Sequence, residues 1–166
     1  MAQTLDQMFI TGPMLADLRE FRIAHINSDF PADYPDDVAR GTSDHDPNVA
    51  TFAINFSGFF PPIDNPPALN EDRAGSSIPV KFSLGRDKGL NIIAAGYPQS
   101  VQIVCVTGAL LGTPAPTANP GGSSISYGGG QYNYVWKTDK AWAGTCRQLT
   151  VKFNDGTVQI ANFQFK

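Results

Sequence analysis

Thr145–Phe165, TCRQLTVKFNDGTVQIANFQF, is the stretch whose reading decides the fold. The runs Thr145–Phe153 and Thr157–Phe165 flank Asn154-Asp155-Gly156, and Asp-Gly tolerates the positive φ of a tight turn. The segment therefore reads as two strands joined by a hairpin. Working outward, Gln131–Lys137, QYNYVWK, alternates with Tyr132, Tyr134 and Trp136 on one face. Ser77–Leu84, SIPVKFSL, and Ser100–Thr107, SVQIVCVT, read as further strands, the second carrying Cys105. Gly112–Gly122, GTPAPTANPGG, is a loop by composition.

The composition agrees. The chain holds Gly 16 and Pro 13 in 166 residues, with aromatics between them, which favours short strands and turns over long helices. Hydrophobic residues make up 42% and charged ones 16%, too little charge for disorder driven by self-repulsion. The strands after Asn55, one Cys pair and a core Trp candidate predict an Ig-like β-sandwich. Trp136 is expected to pack in that core against the disulfide. The alternative is an aromatic carbohydrate platform of Tyr132, Tyr134 and Trp136.

Cys105 and Cys146 are the two cysteines. A single pair fits one disulfide between strands distant in sequence and does not fit a four-ligand zinc site; two buried thiols are the other reading. The formal net charge of -3 offers no overall basic field for nucleic acid. The opening MAQTLDQMFITGPM lacks the charge and apolar core of a signal peptide, so export would need a signal further upstream. No apolar run approaches the roughly 18 residues of a membrane span.

The first part reads strand–helix–strand–loop–strand. Leu5–Thr11 is a strand, broken by Gly12-Pro13. Met14, Leu15, Leu18 and Phe21 have helical spacing, which predicts a helix over Met14–Phe21. Arg22–Ile26 returns to strand, Asp29–Arg40 is an acidic loop, and Asn48–Phe56 alternates as a strand. His25 reads as structural or surface. Asp29, Asp33, Asp36 and Asp37 miss the EF-hand spacing, so the loop reads as solvated. The proline-rich Phe56–Asn70, FSGFFPPIDNPPALN, reads as a linker or extended lead-in. The boundary falls near Asn55 and divides the chain into 1–55 and 56–166.

Ser43-Asp44-His45 sits on the loop that opens the last strand of the first part. An imidazole titrates near neutral pH, an Asp on its other nitrogen fixes its tautomer, and a neighbouring carboxylate can reach a hard cation. LDQMFI, then a short helix, a strand, and SDHDP opening another strand, resembles the C-terminal end of the endonuclease/exonuclease/phosphatase superfamily. These are metal-dependent phosphodiesterases with a two-sheet α/β sandwich. The resemblance implies that Asp6 hydrogen-bonds a catalytic His45 and that Asp44 is a metal-site carboxylate, for Mg²⁺ or else Mn²⁺ or Ca²⁺. The insertion Asn27–Gly41 departs from the usual motif spacing and looks like the longer loop of exported bacterial members. The family's metal-binding Glu, second His and Asp/Asn pair have no counterpart here. The segment is therefore expected to be an α/β fragment, not catalytic alone, of a protein acting on nucleic acid or another phosphodiester.

Residues 56–166 resemble the PxKF domain, a β-rich module found at the C-termini of secreted bacterial proteins. Pro79-Val80-Lys81-Phe82 matches its signature, and NFSGFFPPIDNPP, AGSSIPVKFSLG, YNYVWKTDKAWAGTCRQLTVKFNDGT and ANFQFK match along its length. Alternation would point Lys81 away from the Val80/Phe82 face. No cofactor is expected in this module, and the resemblance implies secretion. The other functional reading is an extracellular binding or cell-surface attachment module, for a glycan or the cell wall, without catalysis.

Overall fold

Alternating side chains, not long apolar stripes, shape the described residues, which are 7–24, 46–119 and 125–166 of this computed structural model. The chain divides into two compact units, Met1–Ala53 and Ile54–Lys166. The first holds a short helix α1 (Gly12–Leu15) and strands β1 (Leu18–Ile23) and β2 (Asn48–Phe52). The second holds β3 (Phe59–Phe60), β4 (Leu69–Asp72), β5 (Ser77–Phe82), β6 (Gln99–Ile103), β7 (Leu110–Pro116), β8 (Ser126–Gly128), β9 (Gln131–Lys137), β10 (Cys146–Lys152) and β11 (Val158–Phe165).

In the second unit β4-β11-β10-β6-β7 form one sheet and β3-β5-β9-β8 another. Pairing is antiparallel except for β4 beside β11. Each strand with a clear period of two buries one face. Ile78, Val80 and Phe82 of β5 and Tyr132, Tyr134 and Trp136 of β9 meet Leu149 and Val151 of β10 and Ala161, Phe163 and Phe165 of β11. Two sheets thus share one apolar core, the arrangement of a β-sandwich. Pro79 and Lys81 take the outward face of β5, as alternation requires.

Trp136 sits at the centre of the aromatic packing. Its ring lies 5.2 Å from Phe163 and 5.9 Å from Phe165, both edge-on. Buried aromatics of this kind are worth about 3–5 kcal/mol each against truncation to Ala. Phe82 stacks on Tyr132 at 5.5 Å and meets Phe153 edge-on at 5.5 Å.

The Asp155-Gly156 turn closes the β10–β11 hairpin, with Gly156 at φ 87. Cys105 and Cys146 are bonded. Cys105 lies in the turn after β6 rather than on the strand, because β6 ends at Ile103. Ile103 and Cys146 are paired neighbours, so the bridge staples adjacent strands of one sheet. Leu149 and Val151 face the core, and Cys146 lies an odd number of residues away, on the outer face. There it clusters with Val101 and Ile103. Trp136 therefore does not pack against the disulfide, contrary to the sequence expectation. In the chain-entropy picture, closing a loop of 41 residues destabilises the unfolded chain by about 4 kcal/mol.

Other expectations fail for identifiable reasons. The helix expected over Met14–Phe21 is only partly there: α1 spans Gly12–Leu15, and β1 starts at Leu18. A register shift between Leu18 and Glu20 puts Leu18 and Phe21 on the same strand face, imitating helical spacing. Gln7–Thr11 carries no regular element, and residues 1–6 lie outside the described residues. The expected loop Gly112–Gly122 is partly strand β7. That strand is exposed throughout and pairs on one side only, which is where Gly and Pro are tolerated in a sheet.

The proline-rich stretch is no free linker. Ile63 is 1% exposed, inside the core. Prolines remove backbone donors, and two asparagines tie what remains. Asn65 accepts from Phe59 N–H at 2.7 Å and donates back to its carbonyl at 2.9 Å. Asn70 does the same for Asp64, at 2.7 and 3.1 Å, and also donates to the Asn162 carbonyl at 3.1 Å.

Partial burial raises the Asp155 carboxyl. Hydrogen bonds from Thr157 Oγ1 and N–H, with Ile54 N–H, outweigh this, and the net position is below the ordinary carboxylate value. A depressed folded-state value contributes stability that is present above the unfolded value and is lost as pH falls through the folded one. Urea unfolding should therefore show stability dropping below about pH 4. The drop should be smaller in Asp155→Asn than in the parent protein.

Candidate functional site

Asp6, Asp44 and His45, the residues singled out for catalysis and metal binding, lie outside the described residues, as does His25. The described end of the motif is Asp46-Pro47. Asp46 is 8% exposed, and Ala24 N–H donates to the Pro47 carbonyl at 3.0 Å. That bond continues the β1–β2 ladder by one step, so the motif enters directly into a paired strand. Asp17, also buried, accepts through its backbone carbonyl from Ala53 N–H at 2.9 Å.

The two strands are strongly two-faced. Phe21 opposes Ala50, Ile23 opposes Asn48, and Leu18 opposes Phe52. The bulge gathers these six onto one face and leaves Glu20, Arg22, Val49 and Thr51 on the other. Met8, Ile10, Leu18, Phe21 and Ala50 line an apolar groove of about 330 Å³. Phe9 is 88% exposed and Phe21 50%. A two-stranded ribbon that leaves such side chains in water has little stability of its own.

A magnesium ion takes about six oxygen ligands, and one carboxylate such as Asp44 supplies one or two of them. Among the described residues no three His, Cys, Asp or Glu side chains gather to complete a set.

In the second unit Tyr132, Tyr134 and Trp136 are 0%, 5% and 0% exposed, so they form core and no carbohydrate platform. Tyr134 shares a short hydrogen bond with Thr117 Oγ1. Burial, only partly offset by that bond, raises its phenol above the ordinary value. Tyr132 OH donates to the Gly89 carbonyl at 3.1 Å and accepts from Lys88 N–H at 2.6 Å, and burial raises its phenol too.

Sequence reasoning passed over Arg147. Its register puts it on the Leu149/Val151 face of β10, a charge at the end of a core-facing row. That misplacement is legible in TCRQLTVKF and signals a special environment. The guanidinium lies 4.0 Å over the Trp142 ring, and burial lowers its pKa, opposed by nearby Asp139.

No protein-family model matches this chain, and no curated protein sequence matches it significantly. No helix among the described residues is long and apolar enough to cross a membrane.

Phe21→Ser should lower both the fluorescence of a hydrophobic dye bound to this protein and its self-association, because it removes the centre of the exposed apolar face. The melting of the second unit should stay within about 1 °C, a shift too small for a core defect.

Proposed function

We propose that this chain is the C-terminal part of a secreted, metal-dependent nuclease or phosphodiesterase of the endonuclease/exonuclease/phosphatase type, followed by an accessory PxKF-type sandwich of Ig-like class. The observation that carries this reading is the position of Ser43-Asp44-His45-Asp46-Pro47. It runs into β2, one of two strands whose shared apolar face is open. In a two-sheet α/β sandwich that face would be covered by the remaining strands of the same domain. The upstream part of the domain is thus the natural occupant of the groove beside Phe21. It would also bring the missing metal ligands.

In that assembly His45 acts at the scissile phosphate as proton donor or acceptor, and Asp6 orients its imidazole. Asp44 contributes one carboxylate to a Mg²⁺, Mn²⁺ or Ca²⁺ site. The cation's role, when bound, is to shield charge on the phosphoryl oxygens. The Cys105–Cys146 disulfide is compatible with an oxidising, extracellular setting. The substrate class is a phosphodiester, with nucleic acid as the first case to test.

The test is a phosphodiesterase assay with Mg²⁺ or Mn²⁺ on single- and double-stranded DNA, comparing this chain with a protein extended upstream. Only the extended form should cleave, and His45→Ala within it should lower the rate by about 10²-fold or more. His45-dependent cleavage by this chain alone would contradict the proposal. So would an extended, folded protein that cleaves no phosphodiester.

A further inference from the structure

A second concavity in the Ile54–Lys166 unit has no part in the reading above. It is an open cleft of about 510 Å³, inside the roughly 300–1,000 Å³ of small-ligand sites. One wall is apolar, made by Ala115 and Pro116 at the end of β7 and by Ala118 just beyond it. The other carries Lys137, Asp139, Lys140 and Arg147 around Trp142. Three cations against one carboxylate leave this wall positive, on a chain whose formal net charge is -3.

Arg147 is held rather than free. Its Nε donates to Ser100 Oγ at 2.9 Å, its Nη2 reaches the Ser100 carbonyl at 3.4 Å, and its plane rests on Trp142. Ser100 is 3% exposed, so the anchor is rigid. Trp142 is in turn wedged against Trp136 and Phe165 at 5.9 and 5.7 Å. The Nη1 hydrogens and the second Nη2 hydrogen have no partner among the described residues. They form the outer edge of the fork, the edge that pairs with two oxygens of a carboxylate or phosphate.

The neighbours are placed as well. A Cβ at Gly75, whose φ is +85, would come within 2.5 Å of Lys140 Cγ, so glycine lets the lysine stem lie flat against the backbone. Asp139 is committed through Oδ1 to Ala141 N–H at 2.9 Å. The hydroxyls of Thr117 and Thr138 are spent on the Pro98 and Ser76 carbonyls. What the cleft still offers a ligand is cationic N–H donors beside an apolar wall. A neutral sugar stacks on a free aromatic face, and here Arg147 already covers Trp142.

We propose that this cleft binds the carboxylate or phosphate group of a small ligand, with Arg147 as the fork that takes two of its oxygens and Lys137 and Lys140 as flanking charges. An acidic sugar and a nucleoside monophosphate share that oxyanion chemistry. The surface Arg, buried Ser and stacked Trp make the site preorganised, so ligand binding need not order the guanidinium first.

Two-dimensional NMR of the whole isotopically labelled chain tests this, at constant ionic strength. The titrants are inorganic phosphate, a trimer of galacturonate, a nucleoside 5′-monophosphate, and a neutral glucose trimer. The Arg147 Nε–H and Trp142 Nε1–H signals should move saturably with at least one anion and not with the neutral trimer. Which anion binds tightest separates the acidic-sugar source from the phosphate source. Arg147→Lys keeps the charge and loses the fork, and should weaken binding about tenfold. Asp139→Asn should tighten it about threefold, the size of effect an exposed charge gives. A gain of this kind cannot come from a misfolded variant. The proposal is overturned if no anion gives saturable shifts, if the neutral trimer binds as well, or if Asp139→Asn leaves affinity unchanged.

Discussion

The packing of Trp136 against Phe163 and Phe165 is the contact on which the larger unit depends. It is made between β9 of one sheet and β11 of the other, so it fixes how the two sheets face each other. Trp142, at the edge of the same cluster, touches both Trp136 and Phe165 and carries Arg147 on its outer side. The cleft is therefore a direct continuation of the core, and its charged fork inherits the rigidity of the aromatic packing. The disulfide does something different. It staples two adjacent strands on the far face and limits the unfolded chain without touching Trp136.

Much of the sandwich was legible because its core strands keep a strict period of two. SIPVKFSL, QYNYVWK and the Asp155-Gly156 hairpin all pointed to the faces they bury, and Lys81 fell outward as alternation demands. Errors arose where that period breaks or where only one side of a strand pairs. The bulge at Leu18/Glu20 produced a three-residue apolar spacing that reads as helix. The exposed edge strand β7 has the composition of a loop, and no described strand pairs with its outer side. The proline-rich stretch read as linker because its anchoring is done by Asn65 and Asn70, whose side-chain partners are invisible to propensity. The aromatic–disulfide contact was expected from a core Trp candidate and one Cys pair in an Ig-like sandwich. Sequence spacing does not say which face of a sheet a cysteine occupies.

The two candidate sites differ in the same way. The motif proposed for catalysis was legible as a string of residue types, Asp44-His45 between a loop and a strand, but its residues lie outside the described ones. What the structure contributes there is the strand pair it enters and the apolar face beside it. The Arg147 cleft was the reverse case. Its geometry is fully described, while the sequence offered a single faint sign, a charge on the core-facing row of β10.

The central claim is that the β1–β2 ribbon is part of a larger domain whose remainder covers its apolar face. Hydrogen exchange of the backbone amides in Leu18–Ile23 and Asn48–Phe52 measures this directly, in this chain and in the protein extended upstream. Local opening of an unsupported ribbon costs little free energy, whereas amides inside a packed sandwich exchange only through larger unfolding. The account predicts that these amides are protected at least ~tenfold more strongly in the extended protein, while those of β9, β10 and β11 are unchanged. Equal protection of the ribbon in both proteins would mean that nothing upstream covers Phe21 and that the fragment reading is wrong.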